Sequence, residues 1–595
     1  MEPNNLIALF NATVAARPSK PSMQYLFNGS WNTLTWSEVK DRVMKIAGGL
    51  RQRGIQKGDR VAIISKTRHE WTLADLGIMA ASGVTVPIYE SNTSTQAAYI
   101  LENSQAKIVI VENEGQLQKI LPVKNSLPHL THIVHIDNIT SSPTDRLCSL
   151  DDVMNSDLTE VQFVYDEALA SLNLDHDASF VYTSGTTGEP KGAILTHGNF
   201  VAEAKGALAI CPIGEDFTGL LFLPLAHILG RVTQFFHIHV GHTQCYAESI
   251  DRLIDNIATV KPHFMVSVPR IFEKIHARTL QNVENSPPLK QHIFRWALKI
   301  GEQRSQRLLT KQPLPVCMKL KYFLAHHLVF KKLHDKMGGR IRFFISGGAP
   351  LSADLALFFH AFGFTILEGY GLTETTAGLS FNRSHFIKFG TVGQPIEDAV
   401  AVKIAGDGEI CVRGKIVFKG YFNNPQATRE AIDEEGWFHT GDIGEFDTDG
   451  FLKITDRKKD IIVTAGGKNI APQSIENHMI TDPFISQFIV HGDKRKFLSA
   501  LVVLDRDQVL RFAKEHDIPF ASYEELVTHH KLQEFIKNRI EQKNSDLASY
   551  ETIKKFAILP NDFSIESGEL TPTLKLKRKV IYQKYTSVLD GFYKE

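Results

Sequence analysis

At 595 residues the chain is longer than one hydrophobic core usually serves, so two or more domains are expected. Apolar content of 43% and charged content of 22% are those of a globular protein, and 66 Lys plus Arg against 66 Asp plus Glu removes any charge-based case for nucleic acid. Five scattered cysteines (148, 211, 245, 317 and 411), none in a CxxC pair, argue against a disulfide framework or a zinc motif and fit a reducing cytoplasm. The start, MEPNNLIALF, has no basic segment followed by an apolar one, so no secretory signal is expected. The longest apolar stretch, Leu73 to Tyr89, is broken by Asp75, Gly and Pro, so no membrane span is expected either.

In chain order, Trp36 to Arg53 carries Val39, Val43, Ile46 and Leu50 at helical spacing. GDRVAII (58–64) and AKIVIVEN (106–113) read as buried strands, and this alternation predicts an α/β architecture with mostly parallel sheets. SFVYTSG (179–185) is a strand running into a Gly-rich turn, a design repeated by IRFFISGGAP (341–350). Between Gln281 and Arg342 the only acids are Glu284, Glu302 and Asp335, against many bases, and Ile293, Trp296, Ala297 and Ile300 share one helical face. This basic helical insertion, about 281–340, suits either packing on the main body or contact with an anionic membrane surface. From about 398 short strands take over (AVAVKIAGDGEICVRG, FLKITDR), predicting a β-rich subdomain to 456. The charged turn TDRKKD is a candidate hinge, and 457–595 then has its own strands, such as LSALVVLD, and helices.

The segment YTSGTTGEPKGAILTH, Tyr182 to His197, has the chemistry of a phosphate-holding loop. Gly185 and Gly188 permit close backbone approach, Thr183, Ser184, Thr186 and Thr187 offer hydroxyls, and Lys191 adds charge. It is not a P-loop, because Lys191 does not follow Gly188 directly and no Ser or Thr follows the lysine. Three further segments stand in order downstream: LEGYGLTET (367–375), GWFHTGDIGEFDTDGFLKITDRKKDIIVTAGGKNIAP (436–472) and LTPTLKLKR (570–578). Together the four resemble the motifs of the adenylate-forming superfamily, and LPLAHILGR (223–231) and SVPRIFEKI (267–275) resemble its long-chain fatty acyl-CoA synthetase branch. The resemblance covers nearly the whole chain. It implies an α/β fold: a large N-terminal domain, 1–456, of two α/β sheets plus the β-rich subdomain, and a smaller mobile α+β domain, 457–595.

The same resemblance implies a two-step reaction. A carboxylate attacks the α-phosphate of ATP to give acyl-AMP and pyrophosphate, and the thiol of coenzyme A then displaces AMP. Glu374 and Thr186 are the implied Mg²⁺ ligands, Thr373 the α-phosphate contact, and Glu368, Gly369 and Gly371 flank it in the same motif. Tyr370 would stack on adenine, with Gly347, Gly348 and Ala349 letting backbone come close. Asp442 and Arg457 would hold the ribose, and Lys459 the hinge. Gly466 and Gly467 would line the pantetheine tunnel, and His227 would sit at the carboxylate end of an acyl pocket walled by 221–229 and 263–268. Core strands would look the same as such walls. A cation between the two reacting anions is assigned to Lys575; the family's Gly-Lys pair is absent, which leaves Lys577 as the alternative. Delivery of the acyl group to a carrier protein, and a non-catalytic acyl- or nucleotide-binding role, stay open, as do membrane contact and oligomeric state, a homodimer included.

Overall fold

The computed structural model describes residues 2–140, 146–155, 160–183, 189–465, 468–564, 567–571 and 576–594. The expectations for Ser184, Gly185, Thr186, Thr187, Gly188, Gly466, Gly467 and Lys575 therefore lie outside the described residues.

The helix predicted at Trp36 spans Trp36–Gln52 and buries Val39, Val43, Ile46 and Leu50. Thr35 and Glu38 close a reciprocal capping box at its start, a device that typically contributes about 1 kcal/mol. The next strand, Arg60–Ile64, lies between Val84–Ile88 and Ile108–Val111, parallel to both. Every residue of Ile108–Val111 is buried, which suits a parallel sheet covered on both faces. Among the described residues this sheet has eight strands. One flank is completed by Asp177–Thr183, then by Lys191–Thr196 and Gly420–Tyr421, which reverse direction.

A second sheet, of nine strands among the described residues, contains the parallel run Thr218–Leu221, Phe264–Ser267, Phe343–Ser346 and Thr365–Tyr370. The strands read ahead of the two glycine segments, Asp177–Thr183 and Phe343–Ser346, each run parallel to a neighbour, and ligands of open α/β sheets bind beyond the carboxyl ends of such strands. The β-rich segment forms a four-stranded antiparallel sheet from Val400–Ile404, Glu409–Gly414, Phe438–Phe446 and Leu452–Arg457. Beyond it, Ile485–His491, Leu498–Leu504 and Ile553–Leu559 make a three-stranded sheet. The largest apolar cluster runs from Leu6 to Leu452, and separate clusters begin at Ile462 and Ile489.

The basic segment differs in detail from expectation. Its first boundary falls inside a helix, Pro269–Glu284, and the following helix, Pro288–Leu309, buries Phe294, Ala297 and Ile300 while packing along Ala353–Ala361. Of the apolar face noticed in the sequence, Ala297 and Ile300 are core, Ile293 is half-buried and Trp296 is exposed. The exposed apolar stripe lies on the next helix, Val316–Ala325, and its continuation, where Val316, Leu320, Phe323, Leu324 and Leu328 face solvent. Among the described residues no helix is long and apolar enough to cross a membrane.

Candidate active site

The Thr365–Tyr370 strand delivers Tyr370 to its carboxyl end, and the chain then turns sharply at Gly371. A Cβ at Gly371 would lie 1.3 Å from the Ala377 carbonyl oxygen, so only glycine lets the LEGYGLTET loop fold back so closely. Thr376 and Ala377 adopt left-handed backbone conformations, φ 52° and 77°. The loop is held there from outside: the backbone N–H of Gly378 donates to Glu203 Oε1 at 3.0 Å. Glu203 is wholly buried, and burial raises its pKa well above the carboxylate range. Glu368 faces inward too. Its Oε1 accepts the Leu351 N–H at 3.0 Å, and burial pushes its carboxyl up to about 8 against that bond.

Two polar clusters converge beyond this loop. In the first, the Tyr370 hydroxyl donates to Asp442 Oδ2 at 2.6 Å, while Arg457 Nε lies 3.0 Å from Asp442 Oδ1. Asp442 and Arg457 are direct cross-strand partners of the four-stranded sheet, which fixes their approach. Burial, with the Asp442 charge added, drives the Tyr370 phenol well above its ordinary pKa, so it stays a donor. Burial lowers the Arg457 pKa, but Asp442 and Tyr370 outweigh that and the net shift is upward. In the second cluster the Tyr421 hydroxyl donates to Glu374 Oε1 at 2.8 Å, and Lys191 Nζ stands 5.2 Å from the centroid of the Tyr421 ring. Burial and the Glu374 charge raise the Tyr421 pKa. The Phe418 N–H donates to the Glu374 carbonyl at 2.8 Å, tying the loop to the edge of the eight-stranded sheet.

The remaining expected residues are placed as follows. Thr183 ends the Asp177–Thr183 strand and pairs with Lys191 across the hairpin. Gly347, Gly348 and Ala349 follow the Phe343–Ser346 strand, Gly348 at φ +82°, and Thr373 opens a short turn with Glu374. His227 caps the Ile228–Val240 helix, its Nδ1 accepting the Leu229 N–H at 3.2 Å. Residues 221–225 and 264–266 belong largely to the main apolar core. Lys459 is exposed, whereas its neighbour Lys458 pairs with Asp407 at 2.6 Å and Glu409 at 2.9 Å.

Three features escaped the sequence reading: Tyr421 on Glu374, Glu203 on Gly378, and a buried network behind His227. In the network Arg231 Nη2 meets Asp75 Oδ1 at 2.9 Å and Arg231 Nη1 donates to Ser179 Oγ at 3.0 Å. Gln234 donates to Asp75 Oδ2 at 2.6 Å, and Trp71, Phe200 and Phe235 surround the guanidinium. The network ties the His227-capped helix to the Asp177–Thr183 strand. Asp75 interrupting an apolar helix was its visible signal, since a buried carboxylate requires a partner.

The sequence profile described as AMP-binding enzyme matches residues 10–422, and that of the AMP-binding enzyme C-terminal domain matches 459–595. The long-chain-fatty-acid–CoA ligase FadD15 of Mycobacterium bovis is 39% identical over 602 residues, covering 100% of this chain and 97% of that protein. The human long-chain-fatty-acid–CoA ligase ACSBG2 is 30% identical, covering 99% of this chain and 92% of its own length. Among solved structures, the adenylation domain of a Mycobacterium chelonae carboxylate reductase superposes with a TM-score of 0.77 at 22% identity, covering 100% of this chain and 92% of that one. The Bacillus subtilis o-succinylbenzoate–CoA synthetase in complex with ATP and magnesium superposes with a TM-score of 0.68 at 22% identity, covering 96% and 98%. With profile matches over most of its length and full-length relatives above 30% identity, the chain belongs to the AMP-binding enzyme family.

Proposed function

We propose that this protein is an ATP-dependent long-chain fatty acid–CoA ligase that forms acyl-AMP and pyrophosphate, then acyl-CoA and AMP. The observation that carries the reading is the Tyr370–Asp442–Arg457 cluster, assembled from segments far apart in sequence at the carboxyl end of a parallel sheet. A carboxylate held between a phenol and a guanidinium, with lone pairs to spare, is suited to the paired hydroxyls of a ribose. Full-length similarity to long-chain-fatty-acid–CoA ligases supports the substrate class.

Adenylation brings two anions together, so positioning and charge stabilisation are the main tasks. Glu374, a partly exposed hard-oxygen donor steadied by Tyr421, suits Mg²⁺, with Thr186 as its proposed partner. Bound there, Mg²⁺ would neutralise phosphate charge. Thr183, Ser184, Gly185, Thr187, Gly188 and Lys191 would grip the β- and γ-phosphates, and Thr373 the α-phosphate. Tyr370 would offer its ring to adenine while its hydroxyl holds Asp442. Lys575 would stand between carboxylate and α-phosphate. Lys575→Ala should then abolish acyl-AMP formation while sparing thioester formation from supplied acyl-AMP. For the second step, residues 457–595 would turn about Lys459 and present Gly466 and Gly467 to the pantetheine arm. The separate apolar clusters from Ile462 onward support independent movement of that body. The test is ATP–pyrophosphate exchange across a panel of acids, followed by a CoA-thioester assay. Exchange without thioester would favour carrier-protein delivery, and no exchange a binding role.

A second element of the reading is peripheral membrane contact from the cytoplasmic side. Val316, at 82% exposure, with Leu320, Phe323, Leu324 and Leu328, forms an apolar stripe flanked by Lys319, Lys321, Lys331 and Lys332. Apolar insertion plus attraction to anionic headgroups is how such helices hold a bilayer, where long-chain acids also partition. Flotation with vesicles containing anionic lipid should retain the protein at low salt and lose it in Leu320→Glu/Phe323→Glu. Equal flotation of both would contradict the contact.

A further inference from the structure

The four-stranded sheet carries a second constellation behind the ribose-site carboxylate. Glu409 and Cys411 lie two residues apart on the Glu409–Gly414 strand, and His439 is the direct cross-strand partner of Cys411. His439 Nδ1 stands 3.1 Å from Glu409 Oε2 and 3.5 Å from Cys411 Sγ. These are the edges of a coordination tetrahedron: zinc bonds of about 2.0 Å to N and O and about 2.3 Å to S give N–O and N–S edges of about 3.3 and about 3.5 Å. Glu409 and Cys411 are buried, and the partly exposed His439 opens the position to solvent. The other imidazole nitrogen is already committed, with Nε2 3.3 Å from Asp433 Oδ2. Asp433 is itself fixed through Oδ1 by the N–H groups of Glu435 and Trp437, at 3.0 and 2.8 Å. A carboxylate that takes the Nε2 proton leaves the Nδ1 lone pair facing the Glu409 oxygen and the Cys411 sulfur, the second-sphere arrangement that orients metal-binding histidines.

We propose that Cys411 Sγ, His439 Nδ1 and a Glu409 carboxylate oxygen form a site for one thiophilic divalent cation of the zinc class, with Asp433 as the residue orienting the imidazole and solvent as the fourth ligand. Loading expels the Cys411 thiol proton to solvent and leaves a thiolate on the metal. It also competes with Lys458, whose Nζ lies 2.9 Å from the same Glu409 Oε2. The other Glu409 oxygen accepts the Gly441 N–H at 2.9 Å, and the Gly441 carbonyl accepts the Lys458 N–H at 2.8 Å. The site is therefore coupled through one residue to Asp442 and through the Lys458 side chain to the 455–460 turn. Cation binding there is a handle on the ribose site and the turn, distinct from the Mg²⁺ position at Glu374.

The test uses the full chain stripped with chelator, with Zn²⁺ or Co²⁺ alone and no ATP, acid or CoA, so its outcome is independent of the ligase reading. Equilibrium dialysis should find one tight zinc per chain, and Co²⁺ should give a thiolate-to-cobalt absorption band. Cys411→Ser should abolish the band, and His439→Gln should weaken binding at least ~100-fold. Asp433→Asn should weaken it ~10-fold, the size expected of an outer-sphere partner. Lys458→Met should tighten it several-fold, which a purely structural lysine would not do. Unchanged zinc binding in Cys411→Ser and His439→Gln overturns the site. So does a chain that binds no zinc even as Lys458→Met, in which case His439 only bridges Glu409 and Asp433.

Discussion

Two carboxylate–arginine pairs in this molecule have the same chemistry and opposite surroundings. Asp75 and Arg231 are both 0% exposed, and their contacts run to Ser179, Gln234 and a cage of aromatic rings. Asp442 is 5% exposed but Arg457 is 40% exposed, and the pair opens toward the loop that carries Glu374. Burial on every side makes the first pair a fastener between two elements. One open side leaves the second within reach of solvent. The identity of the residues did not distinguish them; the solvent on one flank did.

Arg231→Leu strands the Asp75 carboxylate in a dry interior and should cost about 3–5 kcal/mol of stability, read by denaturant unfolding; an unchanged midpoint would show that the pair is not a fastener. Asp442→Asn should leave that midpoint in place but raise the KM for ATP by about 10–100-fold, the loss of a charge-assisted hydrogen bond of about 1.5–3 kcal/mol. A large stability loss there would erase the distinction between the pairs.

Glu368 sharpens the point within the LEGYGLTET loop. Its folded pKa is about 8, raised from 4.5 by burial. Between those values the folded protein binds a proton that the unfolded chain lacks. Its contribution is thus fully present below the unfolded value and falls as pH rises toward about 8, with a slope of up to about 1.4 kcal/mol per unit. Glu368→Gln should flatten that part of the stability profile; a matching slope in the variant would mean another group titrates. The smallest effect belongs to Tyr421→Phe, which removes one hydrogen bond to Glu374, worth about 1 kcal/mol. A few-fold higher Mg²⁺ requirement with unchanged melting is expected.

The legibility of these features follows the range of the interaction. Local patterns were readable: the Val39–Val43–Ile46–Leu50 spacing marked a helix that ends within a residue of expectation, and the strands read ahead of the two glycine segments are Asp177–Thr183 and Phe343–Ser346. The ordered motifs supplied Tyr370, Asp442, Arg457 and Glu374 as candidates, and the structure joins the first three by one hydrogen bond and one ion pair. Contacts closed by the tertiary fold were not readable. Asp75 meets Arg231 across 156 positions and Glu203 meets Gly378 across 175, and nothing local to either segment encodes the partner. The helix face around Ile293 to Ile300, which packs on Ala353–Ala361, was readable in part: Ala297 and Ile300 are buried and Trp296 is exposed. Its apolar periodicity was correct, but periodicity reports that a face avoids water, not whether protein or lipid covers it.

Adenylation and then thioester formation are assigned to one chain. A single-turnover experiment tests it most directly: protein in excess over a long-chain acid, with ATP and Mg²⁺, quenched before and after CoA is added. Acyl-AMP and pyrophosphate should appear in equal amounts first, and CoA should then convert the acyl-AMP to acyl-CoA and AMP. ADP in place of AMP, or an acyl-AMP that CoA leaves untouched, would contradict it.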